Sequence, residues 1–184
     1  MADKTGDIEQ GLFAGGAKRV VRIAVRGPGN FALGPLLKQF AALAIEEGCR
    51  RLVLDLRECS AVDSTFLGVM AGLAGRMNRQ GGSRMDVIRV SEKLRDTLST
   101  LGLDRLMALH TSAPDDLAFL PEGTDGLQPL RPKPPPGRGE TRRTMIEAHE
   151  SLSELSEANA RRFKDVLEFL RRDDASGAAG EGEA

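Results

Sequence analysis

The sequence predicts an α/β layered domain followed by a helical appendage. Three observations carry that reading. Short apolar runs with strand periodicity alternate with segments of helical periodicity through the first two thirds of the chain. A proline-rich stretch, Gln128 to Glu140, then interrupts the alternation. Beyond it, apolar residues recur every three or four positions among charged ones, as on an amphipathic helix. A chain of 184 residues can bury a proper core and still carry such an appendage.

The elements follow in order. Arg19 to Gly27 puts Val21, Ile23 and Val25 on one face with period two, a strand. Gly27-Pro28-Gly29-Asn30 breaks it with turn residues. Pro35 to Gly48 reads as a helix with Leu36, Leu37, Phe40, Leu43 and Ala44 on its apolar side; Pro35 suits the first turn and Gly48 the stop. Arg50 to Glu58 is apolar at Leu52, Val53, Leu54 and Leu56, as expected of a strand covered on both faces. A helix from Phe66 to Gly82 follows. Its Gly68, Gly72 and Gly75 leave one side small, which predicts close packing on a sheet. Arg84 to Val90 alternates again. Ser91 can cap a helix that turns Leu94, Leu98 and Leu101 inward, and Ala108 to Ser112 is a short last strand.

The five prolines between Gln128 and Glu140 suit an extended spacer rather than a helix or a central strand. In the appendage, Met145, Ala148, Leu152, Leu155, Phe163, Val166 and Leu170 form a stripe interrupted by Asn159. Ser156 can cap a second helix, so one rod and two helices with a break are both open. The organisation expected is a domain over 1–125, a linker over 126–140, a helical extension over 141–172 and a disordered tail over 173–184. The stripe must be buried on the domain itself, on a second copy of the chain, or on a partner.

Composition excludes several classes. Net charge is −1, with 26 basic and 27 acidic residues, so no overall field attracts phosphate backbones. Trp and Tyr are absent and Phe is the only aromatic residue, which leaves few rings for stacking single-stranded bases. Nucleic acid is not an expected partner. No run reaches the roughly 20 apolar residues of a membrane span, and the polar start MADKTGDIEQ does not read as a secretory signal, so the expected location is the cytoplasm. Cys49 and Cys59 flank a strand whose ends are about 20 Å apart, beyond disulfide reach, and fit free thiols. Two His and two Cys in unrelated contexts give no zinc spacing; neither metal nor cofactor is expected.

No enzyme motif assembles a nucleophile with its base, and the chain is not expected to be an enzyme. The glycines of Arg26 to Gly34 sit between a strand and a helix as in a phosphate loop, but Pro28 and the spacing fail the dinucleotide pattern. A nucleotide sensor built on that loop is the weaker rival. What stands out is Asp63-Ser64-Thr65, a carboxylate and two hydroxyls where a strand hands over to a helix. Capping needs one such residue. A helix N-terminus also carries about half a positive charge and stabilises a phosphate without unfolding the domain.

The order of elements and the stretch "LVLDLRECSAVDSTFLGV" resemble the STAS domains of anti-sigma-factor antagonists, whose motif is Asp-Ser-Ser/Thr followed by Leu-Gly-Val. The resemblance spans about Gly11 to Leu120. It implies a mixed sheet of four or five strands with helices on one face, and partner switching without catalysis. It implies phosphorylation of Thr65, with Ser64 its neighbour, by an anti-sigma factor that is a serine kinase, and reversal by a phosphatase. Asp63, Phe66, Leu67 and Gly68, with the loop Gly29-Asn30-Phe31, are then the partner-facing rim. Phe66 stands where the family usually has Gly, which reshapes the dock or supplies it with an apolar anchor. The alternative is a STAS scaffold that is never phosphorylated and acts by shape in a regulatory or transporter-associated complex. A homodimer through the C-terminal helices is a further expectation.

Overall fold

A computed structural model describes residues 10–17, 19–120, 124, 126–131 and 134–180. The polar start read as lacking a signal, and residues 181–184 of the expected tail, lie outside the described residues. Strands β1 (Gly11–Ala17) and β2 (Val20–Gly29) form an antiparallel hairpin, with Leu12 opposite Val25 and Ala14 opposite Ile23. From β2 the chain winds through α1 (Gly34–Glu46), β3 (Arg51–Val62), α2 (Ser64–Arg79), β4 (Arg84–Ile88), α3 (Glu92–Thr100) and β5 (Ala108–Leu109). Strands β2 to β5 are parallel neighbours. A short strand β6 (Gln128–Pro129) returns antiparallel to β1. The sheet order is β5-β4-β3-β2-β1-β6.

This is a mixed α/β STAS-like sheet with six strands rather than four or five. The two extra strands are β1 and β6. In β1 the three glycines and two alanines of "GLFAGGA" dilute the apolar alternation, and β6 is two residues long with a proline, which confines it to an edge.

One sheet face is the core. Ile23, Val25, Leu52, Leu54, Leu56, Met85 and Val87 pack with Leu37, Ala41, Phe66, Met70, Ala74, Met77 and Leu98 from the helices. On the other face Val53 and Ile88 are covered by Leu117, from a 3₁₀ turn at Asp115–Leu117. Beside them lies a buried ionic knot. Asp55 accepts from Arg22 Nη2 at 2.5 Å and from Arg89 Nη1 at 2.6 Å, and its other oxygen takes the Arg57 N–H at 3.1 Å. Arg89 reaches it from a left-handed backbone (φ 56°), the one non-glycine residue with positive φ among the described residues.

The appendage is two helices, α4 (Arg138–Ser153) and α5 (Glu157–Gly180), so the break is present and the helix runs on past Asp173 into the stretch expected to be a tail. Ser156 Oγ accepts the Asn159 N–H at 3.1 Å, the cap that restarts the chain as a helix. The hairpin forms a third layer, with α4 lying on α2 and α1. Two parts of the apolar pattern differ from expectation. Leu43 is 58% exposed, because α1 turns Ala41, Ala44 and Ile45 inward instead. In α5, Leu167 takes the buried place read for Val166, since Phe163, Leu167 and Leu170 share a face equally well at spacings of four and three. Cys59 lies inside the longer β3 rather than beyond its end, and both cysteines are free thiols. Among the described residues no helix is long and apolar enough to cross a membrane.

Candidate functional site

Asp63 is the hinge of the site. Its backbone is extended, and Oδ1 accepts the Phe66 N–H at 2.8 Å, which caps α2. Oδ2 accepts the Phe31 N–H at 2.7 Å, and the Asp63 N–H donates to the Gly29 carbonyl at 3.0 Å. One carboxylate therefore joins the first turn of α2 to the loop between β2 and α1. Gly29 lies on the Phe66 ring: a Cβ there would come within 2.9 Å of it. The structure thus brings the Gly29–Phe31 loop against the Asp63 turn that opens α2.

Their exposure differs from that of an open rim. Phe66 is fully buried and Leu67 nearly so, so the ring is a core plug beneath the loop and not an outward anchor. The strand-to-helix turn aims it at the sheet, where it packs in the main core. Thr65 is 3% exposed. Its methyl and that of Thr144 on α4 both close on Gly34, at 3.6 and 3.7 Å from where a Cβ would stand. Ser64 Oγ lies 3.0 Å from His149 Nε2 on α4. Phe31, half exposed, is the apolar group that remains at the surface.

The cover is α4. A Cβ on Gly68 would meet the Ala148 carbonyl oxygen at 2.1 Å and its Cα at 2.7 Å, so the two backbones touch. The glycine side of α2 therefore packs on a helix and not on the sheet, which takes the opposite, bulky side: Phe66, Met70, Ala74 and Met77. His149 is held on both sides. Its Nδ1 lies 2.7 Å from the Met145 carbonyl, which can only accept, so Nδ1 donates there and Nε2 is left to the Ser64 hydroxyl. The Phe163 ring stands edge-on to it at 5.5 Å. A serine beside a histidine is the start of a nucleophile–base pair, but His149 is 3% exposed and packed between helices, with no room for a substrate. The sequence reading missed His149. Its only signal was a position one residue past Ala148 in the stripe, four after Met145.

The loop is no phosphate cradle. Asn30 Oδ1 accepts from the Ala32 and Leu33 N–H groups, the Asn30 carbonyl accepts from Leu33 and Gly34, and Phe31 N–H serves Asp63. The amides that would grip a phosphate are already spent on the turn. Both thiols are poor nucleophiles, since burial pushes Cys49 and Cys59 above the ordinary thiol value against opposing backbone hydrogen bonds.

A parallel βαβ core, a β-hairpin edge and a capped Asp-Ser-Thr turn opening α2 define a STAS domain. The chain belongs to that family: the family model described as "Mlab, STAS domain" matches residues 14–109, just over half of the chain. Solved structures at a TM-score of 0.50 show the same fold. A candidate anti-sigma factor antagonist from Thermotoga maritima, TM1081, is 21% identical, with a TM-score of 0.50 over 58% of this chain and 89% of that one. The NMR structure of TM1081 gives 22% identity and a TM-score of 0.50 over 61% and 90%. The anti-sigma factor antagonist SpoIIAA, a Bacillus cell-fate determinant, is 15% identical, with a TM-score of 0.48 over 58% and 92% in its unphosphorylated form. No curated protein matches the chain.

Proposed function

We propose that the protein is a non-enzymatic, cytoplasmic partner-switching regulator of the anti-sigma-factor-antagonist type. The observation that carries this reading is the turn at Asp63, where one carboxylate fixes both the hydroxyl pair at the α2 N-terminus and the adjoining Gly29–Phe31 loop. Binding to an anti-sigma factor serine kinase would use that end of α2. Phosphorylation would then end binding. Thr65 Oγ1 attacks the γ-phosphorus of kinase-bound ATP, ADP leaves, and the hydroxyl proton passes to a base of the kinase. The product adds about 1.5 to 2 negative charges beside Asp63, and a phosphatase would reset it. The naming of TM1081 supports the reading by analogy. Incubation with anti-sigma kinases and ATP, followed by mass spectrometry, is expected to find phosphate on Thr65. Equal labelling of Thr65→Ala would remove it.

The burial of Thr65 and the Ser64–His149 hydrogen bond favour a second reading, a STAS scaffold that keeps its hydroxyls shut away and binds by shape. A partner complex unaffected by Thr65→Asp would select it. Pairing of two copies through the hairpin would use Val166 and Phe169, the apolar residues α5 leaves outward.

A further inference from the structure

The α4–α5 hairpin is tied both to itself and to the domain. Arg142 pairs with Asp173 at 3.0 Å and Arg171 with Glu150 at 2.6 Å, His149 meets Phe163, and Asn159 Nδ2 donates to the Leu152 carbonyl at 3.0 Å. Against the domain it places the Gly68–Ala148 crossing, a Lys38–Glu147 ion pair, a Gln39–Glu140 hydrogen bond, the Ser64–His149 bond and one from Asn159 to the Leu101 carbonyl. Beside the crossing a cleft of about 360 Å³ stays open between α1, α2 and α4. Its two walls differ in sign. The domain contributes Lys38, Arg76 and Arg79, and α4 contributes Glu147, Glu150 and Glu154.

From this we infer that the α1–α2 face is a docking groove for an acidic amphipathic helix with a small residue at its crossing point. In the described state α4 fills it in cis, and a partner protein presenting a helix of the same chemistry competes for it. The inference deepens the partner-switching reading and rests on it for the identity of the site. Gly68 admits only a backbone-to-backbone contact, so the incoming helix needs Ala, Gly or Ser opposite it. The basic wall selects acidic side chains along one flank. Exchange of α4 for the partner's helix would break the Ser64–His149 bond, joining docking to release of the Ser64 hydroxyl. The linker holds α4 at an effective concentration on the order of millimolar, which a partner must outbid.

The test uses the full chain and a labelled synthetic peptide of residues 138–172, with no kinase and no ATP. Ala148→Arg puts a bulky cation at the crossing and leaves the groove itself intact. It is expected to bind the peptide at least about tenfold more tightly than the wild type, with affinity falling as salt rises and abolished by adding Gly68→Ala. Equal, salt-independent binding by both proteins overturns the inference, as does no binding by an Ala148→Arg chain whose sheet stays folded. Should that variant fail to fold, hydrogen exchange on the wild type decides. Amides of 138–172 opening well before those of Leu52–Leu56 support a separable hairpin, and a common global rate overturns it. Peptide binding here, together with no phosphate on Thr65 in the separate incubation with kinase and ATP, would keep the groove and remove the phosphorylation switch, so the two failures are distinct.

Discussion

Ser64 and Thr65 are neighbours with different fates. The Ser64 hydroxyl has a partner in His149, while Thr65 lies beneath the same helix with its methyl against the start of α1. Ser64→Ala would leave a buried imidazole nitrogen without its partner, and the expected cost is about 1 to 3 kcal/mol in urea denaturation. If the bond is the reason, His149→Phe in the Ser64→Ala background recovers part of that loss; no cost in the single variant would refute the pairing. The thiols give a second check at this scale. Burial raises both, so the reactive thiolate forms only at a pH above the ordinary thiol midpoint of about 8.5. At pH 8 both are expected to alkylate with iodoacetamide more slowly than free cysteine, and Cys49, almost inaccessible, more slowly than Cys59. Residue types and adjacency made the Asp63 turn legible in the sequence. Burial was not, because what covers Thr65 comes from about eighty residues further along the chain.

Between elements, the decisive contact is α2 on α4. The glycine spacing in α2 announced that something approaches closely, but a small stripe fits a sheet, a neighbouring helix or another molecule alike, so the sequence could not name the occupant. Two of those glycines now separate by what faces them. A Cβ on Gly68 meets backbone at 2.1 Å, and backbone cannot move aside; a Cβ on Gly72 meets the Ser151 hydroxyl at 3.2 Å, and that can rotate. Gly68→Ala is expected to cost about 1 to 3 kcal/mol by overpacking. Gly72→Ala is expected to be neutral or to stabilise, since alanine gains up to about 1 kcal/mol over glycine inside a helix. Thermal denaturation of both variants checks the contrast, and equal losses would contradict the geometry. The amphipathic stripe was readable in the same limited way: period fixes a face, yet 163–166–170 and 163–167–170 both satisfy it, and only the partner surface chooses the second.

Across the whole molecule, the helical face of the sheet was legible because its residues are simply apolar, whereas the opposite face is held by charge. Asp55 sits in a run that reads as a buried strand, and its partners Arg22 and Arg89 lie in β2 and just past β4, so nothing local announces the knot. Asp55→Ala would leave two guanidinium groups beneath the surface without this carboxylate. A loss of about 3 to 5 kcal/mol is expected in equilibrium unfolding, and a loss under 1 kcal/mol would show that the knot contributes little.

The two-residue strand at Gln128–Pro129 has a consequence for how far the C-terminal helices can travel. While it stays zipped to Phe13 and Ala14, only seven residues separate Leu130 from the start of α4 at Arg138, and the eight steps make a leash of at most about 28 Å. Once it unzips, the next tie is Thr124, whose hydroxyl accepts from Arg26 Nη2, and a leash of fourteen positions stretches to about 50 Å. The least secure strand of the sheet thereby sets the radius within which the rest of the chain can roam.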